Sequence, residues 1–187
     1  MNTVALRRLA RTVAVAAVTL TGGDALTDEA ATTESLLEAP EPFAAALRSR
    51  FGQALRIRSL SVRAENADVE VQDPAVPENL DLYPFEDGTL GTPEPVQAGR
   101  NQRQLKASLF PLAEVDLSVL PRLVPDALRR AETTGARVVQ VRIERSTSYE
   151  YTESWGWPRI HVTVDGPRGG AVVEYDLKGK HKSTKRW

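Results

Sequence analysis

His161 is the residue whose type most directly offers chemistry. It lies between Ile160 and Val162, with Asp165 and Glu174 close by in the chain. A histidine beside a carboxylate can take up and return a proton near neutral pH. The alternation Ile160-His161-Val162-Thr163-Val164 reads as a strand and places His161 on its polar face. A solvated or hydrogen-bonded histidine is the simpler reading there, so an enzyme with a pocket around His161 ranks behind a binding or structural role. A second constellation is aromatic. Tyr149, Tyr151, Trp155 and Trp157 fall within a short segment of a chain that has only three Trp, four Tyr and four Phe. All four are at odd positions, so an extended backbone would present them on one side. Exposed Trp and Tyr rings anchor protein partners at low entropic cost. The alternative is that the segment folds back over the sheet, with Trp155 or Trp157 as its anchor. The third constellation is basic. Lys178, Lys180, Lys182, Lys185 and Arg186 succeed one another with no acid among them. They could touch an anionic surface or an acidic partner, or they could be lysines that guard an edge strand against self-pairing.

Much other chemistry is excluded. The 187 residues include no cysteine and two histidines. This removes thiol nucleophiles, iron–sulfur clusters and Cys- or His-rich metal centres. No P-loop, H-E-x-x-H, G-x-S-x-G or EF-hand spacing occurs. Asp81, Glu86 and Asp87 lack calcium-site spacing. Gly166-Pro167-Arg168-Gly169-Gly170 comes after a strand but opens no helix, so it reads as a hairpin turn and not a phosphate cradle. A formal charge of −1 argues against a dedicated nucleic-acid binder. No metal and no cofactor is expected.

The elements that must position these groups recur. With an offset of 81, Ala46-Leu47-Arg48 falls on Ala127-Leu128-Arg129, and Leu60 and Val62 fall on Val141 and Ile143. With an offset of 93, Ala67–Pro74 falls on Ile160–Pro167, and at 91 Asp87-Gly88 falls on Lys178-Gly179. The preserved order of elements reads as one unit present twice. The expected fold is α+β: two tandem units, each a helix or helix–loop–helix packed on a three- to four-stranded antiparallel sheet. Pro42 suits the first turn of a helix over 43–51, and Gly52 its end. Leu117 to Ala131 repeats the pattern, with Pro121 and Pro125 either starting short helices or bending one. In the strands, Ile57, Ser59 and Ser61 oppose Arg58, Leu60 and Val62, while Val139, Val141 and Ile143 oppose Gln140, Arg142 and Glu144. Asp87-Gly88 and Lys178-Gly179 are hairpin turns. Pro93 and Pro95 limit the strand after the first of these turns to a sheet edge. Gln97 to Gln104 reads as a connector, and Leu105, Ala107 and Leu109 as a further strand or extended linker.

The N-terminus reads as an address. Residues 1–23 contain no acid, and Arg7, Arg8 and Arg11 precede an apolar run from Thr12 to Gly22. That is the pattern of a signal peptide, and the run is too short to span a bilayer. Leu20-Thr21-Gly22-Gly23 resembles a bacterial lipobox with Gly23 where the lipidated cysteine would stand. Residues 24–40 are acidic and read as a tether. The domain layout is therefore 1–23 signal-like, 24–40 tether, 41–104 first unit and 105–187 second unit.

Tyr83–Val96, Val115–Arg130 and Val172–Lys180, set in tandem helix-plus-sheet units, resemble the PepSY-type domains of bacterial envelope proteins. They also resemble the repeat architecture of β-lactamase-inhibitory proteins and bacterial lipoproteins of unknown function. The resemblance spans about residues 40–187. It implies a non-catalytic module that binds or inhibits a protein in the periplasm or envelope, and it brings no catalytic residue with it. Together these readings favour an exported binding module using the 146–158 segment and the sheet face, ahead of a structural or tethering envelope protein.

Overall fold

Among the described residues ten strands join into one antiparallel sheet, with the helices that fill its core gathered on one side. The computed structural model describes residues 35–52, 55–97, 102–145 and 156–187, all within one compact unit, Thr33–Trp187. The signal-like segment 1–23 and most of the tether lie outside the described residues. Ser35–Pro40, assigned to the tether from sequence, belong to the folded unit: Leu36 and Leu37 are buried, and the Leu36 N–H donates to the Ala64 carbonyl at 2.9 Å.

Helix α1 (Glu41–Phe51) holds Pro42 in its first turn, buries Phe43 and Leu47, and is capped by Gly52, whose φ of 68° favours glycine. Strands β1 (Arg56–Val62), β2 (Ala67–Gln72) and β3 (Leu80–Glu86) form a meander, closed by β4 (Thr89–Leu90) and β5 (Glu94–Val96) on the outer edge of β3. The turn between β3 and β4 holds Asp87 and Gly88 at φ of 49° and 77°, the positive pair that a two-residue hairpin needs. Helix α2 (Gln102–Ser108) and β6 (Phe110–Pro111) precede two short 3₁₀ turns, Leu112–Glu114 and Leu117–Val119. Helix α3 (Leu120–Ala131) buries Leu120, Leu123, Ala127 and Ala131, spaced three or four apart so that they share one stripe. It is one continuous helix. Pro121 lies in its first turn and Pro125 within it. The chain then runs through β7 (Arg137–Arg145), β8 (Pro158–Gly166), β9 (Gly169–Asp176) and β10 (His181–Arg186).

The strand order is β10-β9-β8-β7-β1-β2-β3-β4, so the expected three to four strands per unit form a single sheet through the β1–β7 pair. The boundary expected between Gln104 and Leu105 falls inside α2. Two bulges correct the alternation read from sequence. Ile57 pairs with Val71 and Ser59 with Glu70, so the extra residue puts Ile57 on the same face as Leu60, not opposite it. In β7 a bulge between Val138 and Gln140 likewise puts Val138, and not Val139, in line with Val141 and Ile143.

The core face carries Leu60, Val62, Val69, Val141, Ile143, Val162 and Val173, all fully buried beneath α1 and α3. Tyr175 reaches from β9 to α3, where its hydroxyl donates to Asp126 at 2.8 Å. Burial and that hydrogen bond raise the tyrosine's pKa far above its usual value. Arg186 closes the end of α3, donating to the carbonyls of Arg130 at 2.7 Å and Ala131 at 3.2 Å. Beside it, Trp187 continues the ladder, exchanging backbone bonds with Gly170 at 3.2 and 3.3 Å. A Cβ on Gly170 would lie 2.5 Å from the Val164 carbonyl and 2.6 Å from the Trp187 indole. Gly170→Ala should therefore cost about 1–3 kcal/mol, since overpacking against backbone cannot be relieved by a rotamer change. Thermal unfolding checks this, with a melting temperature lowered by roughly 2–4 °C per kcal/mol.

Candidate functional site

The face opposite the main core is polar. Directly opposed residues of antiparallel strands share a face, so the register defines two rows across it. One runs Ser183, Glu174, His161, Arg142, Ser61, Asp68. The next runs Arg159, Glu144, Ser59, Glu70, Leu82. At one corner the face is covered. Leu80, opposite Gln72, packs there with Leu105, Leu109 and Val96 in a second apolar cluster under α2.

The charges on this face are tied to one another. Arg58 Nε meets Glu70 Oε2 at 2.6 Å, Arg63 meets Asp68 at 2.9 Å, Arg142 meets Glu144 at 2.8 Å and Arg159 meets Glu174 at 3.0 Å. The Ser59 hydroxyl also donates to Glu70 at 2.8 Å. Burial alone would raise the Glu70 pKa, but the Arg58 hydrogen bond and charge, with Ser59 and Arg142, outweigh it and hold the carboxylate low. Arg142 is pulled down by burial and held up more strongly by Glu144, with Glu70 and Asp68 adding to it.

His161 lies among these pairs, and its Nε2 is buried without a hydrogen-bond partner among the described residues, as is Ser61 Oγ. Burial lowers the His161 pKa. Glu144 and Glu174 push it up, Arg142 and Arg159 push it down, and the net shift is downward. Ser61, His161 and Glu174 share a row, yet they are not a nucleophile–base–acid relay. Arg142 stands between Ser61 and His161, which two strand spacings put roughly 10 Å apart. Glu174 is held by Arg159. The groove between α1 and the 3₁₀ segment, about 330 Å³ and lined by Ala44, Leu47, Arg48, Leu112 and Leu117, does not involve His161.

The depressed histidine has a consequence for stability. The unfolded chain takes up the proton as pH falls through 6.5, and the folded chain only at a lower pH. The contribution is thus complete above pH 6.5, declines as pH falls below it and levels off beneath the folded-state pKa. His161→Gln should flatten the denaturation profile between pH 7.5 and 5. An unchanged slope in urea titrations across that range would contradict the assignment.

Of the aromatic quartet, Trp157 alone is placed, 77 % exposed at the entrance to β8 and two residues before Arg159. Tyr149, Tyr151 and Trp155 lie outside the described residues. Trp157 is therefore not a buried anchor, and Trp155, the other anchor that the alternative named, lies outside the described residues. Of the C-terminal bases, Lys182 pairs with Asp176 at 3.1 Å and Arg186 with Glu132 at 3.1 Å, besides capping α3. Lys178 and Lys180 flank the β9–β10 turn, and Lys185 lies on β10; all three are exposed. Sequence reasoning missed Arg142 as the cross-strand neighbour of His161, because cross-strand register is not written in any local pattern.

No family model and no curated protein matches the chain. The fold is similar to a crystal structure described as that of a "putative lipoprotein" from Clostridium difficile 630, with a TM-score of 0.53 and 12% identity, over 82% of this chain and 99% of that one. At that identity the likeness is one of fold: an α+β arrangement around a large antiparallel sheet. Among the described residues no helix is long and apolar enough to cross a membrane, and no group of three or more acidic or histidine side chains is placed to hold a metal ion.

Proposed function

We propose that the protein is an exported, non-catalytic binding module of the bacterial envelope, built from two copies of one αβ unit, and that it grips a protein partner with the open sheet face and the segment ending at Trp157. The observation that carries this reading is the pairing of a polar sheet face, on the side away from the core that α1 and α3 fill, with a Trp ring 77 % exposed at its margin. Isolated Trp side chains are costly to leave in water, and at interfaces they are the commonest anchors. The ion pairs on the face are already made, so a partner meets a patterned but locally neutral surface, which favours specificity over non-selective attraction.

Duplication is supported by register. The pair Ile57–Val71 corresponds to Val138–Val164 and Val62–Ala67 to Ile143–Ile160, under the offsets 81 and 93. Ala67–Phe85 corresponds to Ile160–Tyr175 with an offset of 90 for the third strand, one residue short of the 91 that aligns the turns after it. The bulges in β1 and β7 fall at corresponding residues, and Gly88 and Gly179 share a φ of 77° in the matching turns. The connection after the first strand of the second copy is the longer one, and it carries the aromatics. Export and envelope residence draw support from the signal-like residues 1–23 and from a structural neighbour described as a "putative lipoprotein". Gly23 removes the acylation site at that position, so membrane association by that lipid is not part of the reading.

The test is capture. The full chain, immobilised, should retain one envelope protein from a bacterial extract, and Trp157→Ala should release it. Retention unaffected by Trp157→Ala would remove the aromatic segment from the interface. Retention of nothing would favour the tethering role.

A further inference from the structure

The two ends of the sheet differ in a way that the sequence of each explains. On one side the sheet finishes in β4 and β5, two and three residues long, with Pro93 before β5 and Pro95 within it. Proline has no N–H to offer a further strand, so that edge is closed. On the other side it finishes in β10, six residues without proline, whose outer edge has no strand partner among the described residues. A bulge affects only its start, and Ser183–Arg186 run in unbroken register against Glu174–Ala171. The strand is fixed in place: Arg186 caps α3, Trp187 bonds to Gly170 and Lys182 pairs with Asp176. A rigid edge loses little entropy when another strand joins it.

Charge says what can join it. From Leu177 to Trp187 there is no acid, and the side chains of Lys178, Lys180 and Lys185 make no ion pair among the described residues. A second copy pairing edge to edge would set lysines against lysines, which is destabilising. An acidic strand would set carboxylates against them. We propose that the free edge of β10 receives an acidic, extended segment of a partner protein as an additional strand, at the border of the polar face that Ser183 and Lys185 share with Glu174 and Thr163, and without any part for Trp157.

The test uses the full chain and a fluorescent eight-residue peptide of alternating Glu and Thr, tracked by anisotropy. Saturable binding is expected. Two changes should each weaken it at least tenfold: N-methylation along the peptide, which keeps its charge and removes its backbone donors, and the double variant Lys180→Glu/Lys185→Glu with an unchanged melting temperature. Trp157→Ala should leave it unaltered. Equal binding of the N-methylated peptide overturns strand addition. Failure of the peptide to bind overturns the proposal too, in favour of a lipid surface if phosphatidylglycerol vesicles retain the chain, or of self-association if it sediments as a dimer that the double variant disperses.

Discussion

Phe43→Ala should destabilise the fold by about 3–5 kcal/mol, as large-to-small changes at fully buried aromatic sites do. Phe43 is 0 % exposed, and its ring lies 5.0 Å from that of Phe85 on β3. With Leu47 it is one of the two residues that α1 buries. Truncation removes both the buried surface and an aromatic contact, and it leaves a hole beneath a helix that has no other fully buried ring. Domains of this kind are stable by about 5–15 kcal/mol, so roughly a fifth of the total or more is at stake. Urea denaturation should show a much lower midpoint with the same dependence on denaturant, because the surface exposed on unfolding hardly changes. A loss under about 1 kcal/mol, small against the usual cost of such a truncation, would mean that α1 does not anchor this half of the sheet.

Trp157→Ala should separate binding from folding. The ring is 77 % exposed, so its removal costs the fold no more than about 0.5 kcal/mol, a shift of roughly 1–2 °C in melting temperature. Partner affinity should fall about 30-fold, the roughly 2 kcal/mol typical of a central aromatic anchor. A large drop in melting temperature would instead return Trp157 to a packing role. Phe43 and Trp157 thus form a contrasting pair: two large aromatics, one whose loss is felt in stability and one whose loss is felt in binding.

Much of this architecture was legible because it is locally encoded. Pro42 and Gly52 bracket α1 as their backbone preferences require. Asp87-Gly88 makes the hairpin turn, and the alternation in β2, β8 and β9 matches their buried and half-buried positions. The illegible part is non-local. Leu105, Ala107 and Leu109 alternate like a strand, yet Leu105 and Leu109 are also one helical turn apart, and the burial of both against Leu80 decides for α2. The bulges in β1 and β7 change which residues face the core, and nothing local to Ile57 or Val138 announces them. For the same reason the site was read in parts. His161 was visible as a polar residue on a strand with Glu174 as a candidate partner, but Arg142 on its other side emerges only once the strands are in register. The basic C-terminus illustrates the converse: five similar residues in sequence, all exposed, divide by position into two that form ion pairs and three that form none among the described residues.

The central claim is that the polar sheet face, and not the helical side, meets the partner. Site-specific photo-crosslinking tests it most directly, with benzoylphenylalanine placed at Thr163 on the open face and, separately, at Arg129, whose side chain is 72 % exposed on α3. In envelope extract the account predicts a protein adduct from position 163 and none from position 129. An adduct from position 129 alone would contradict it.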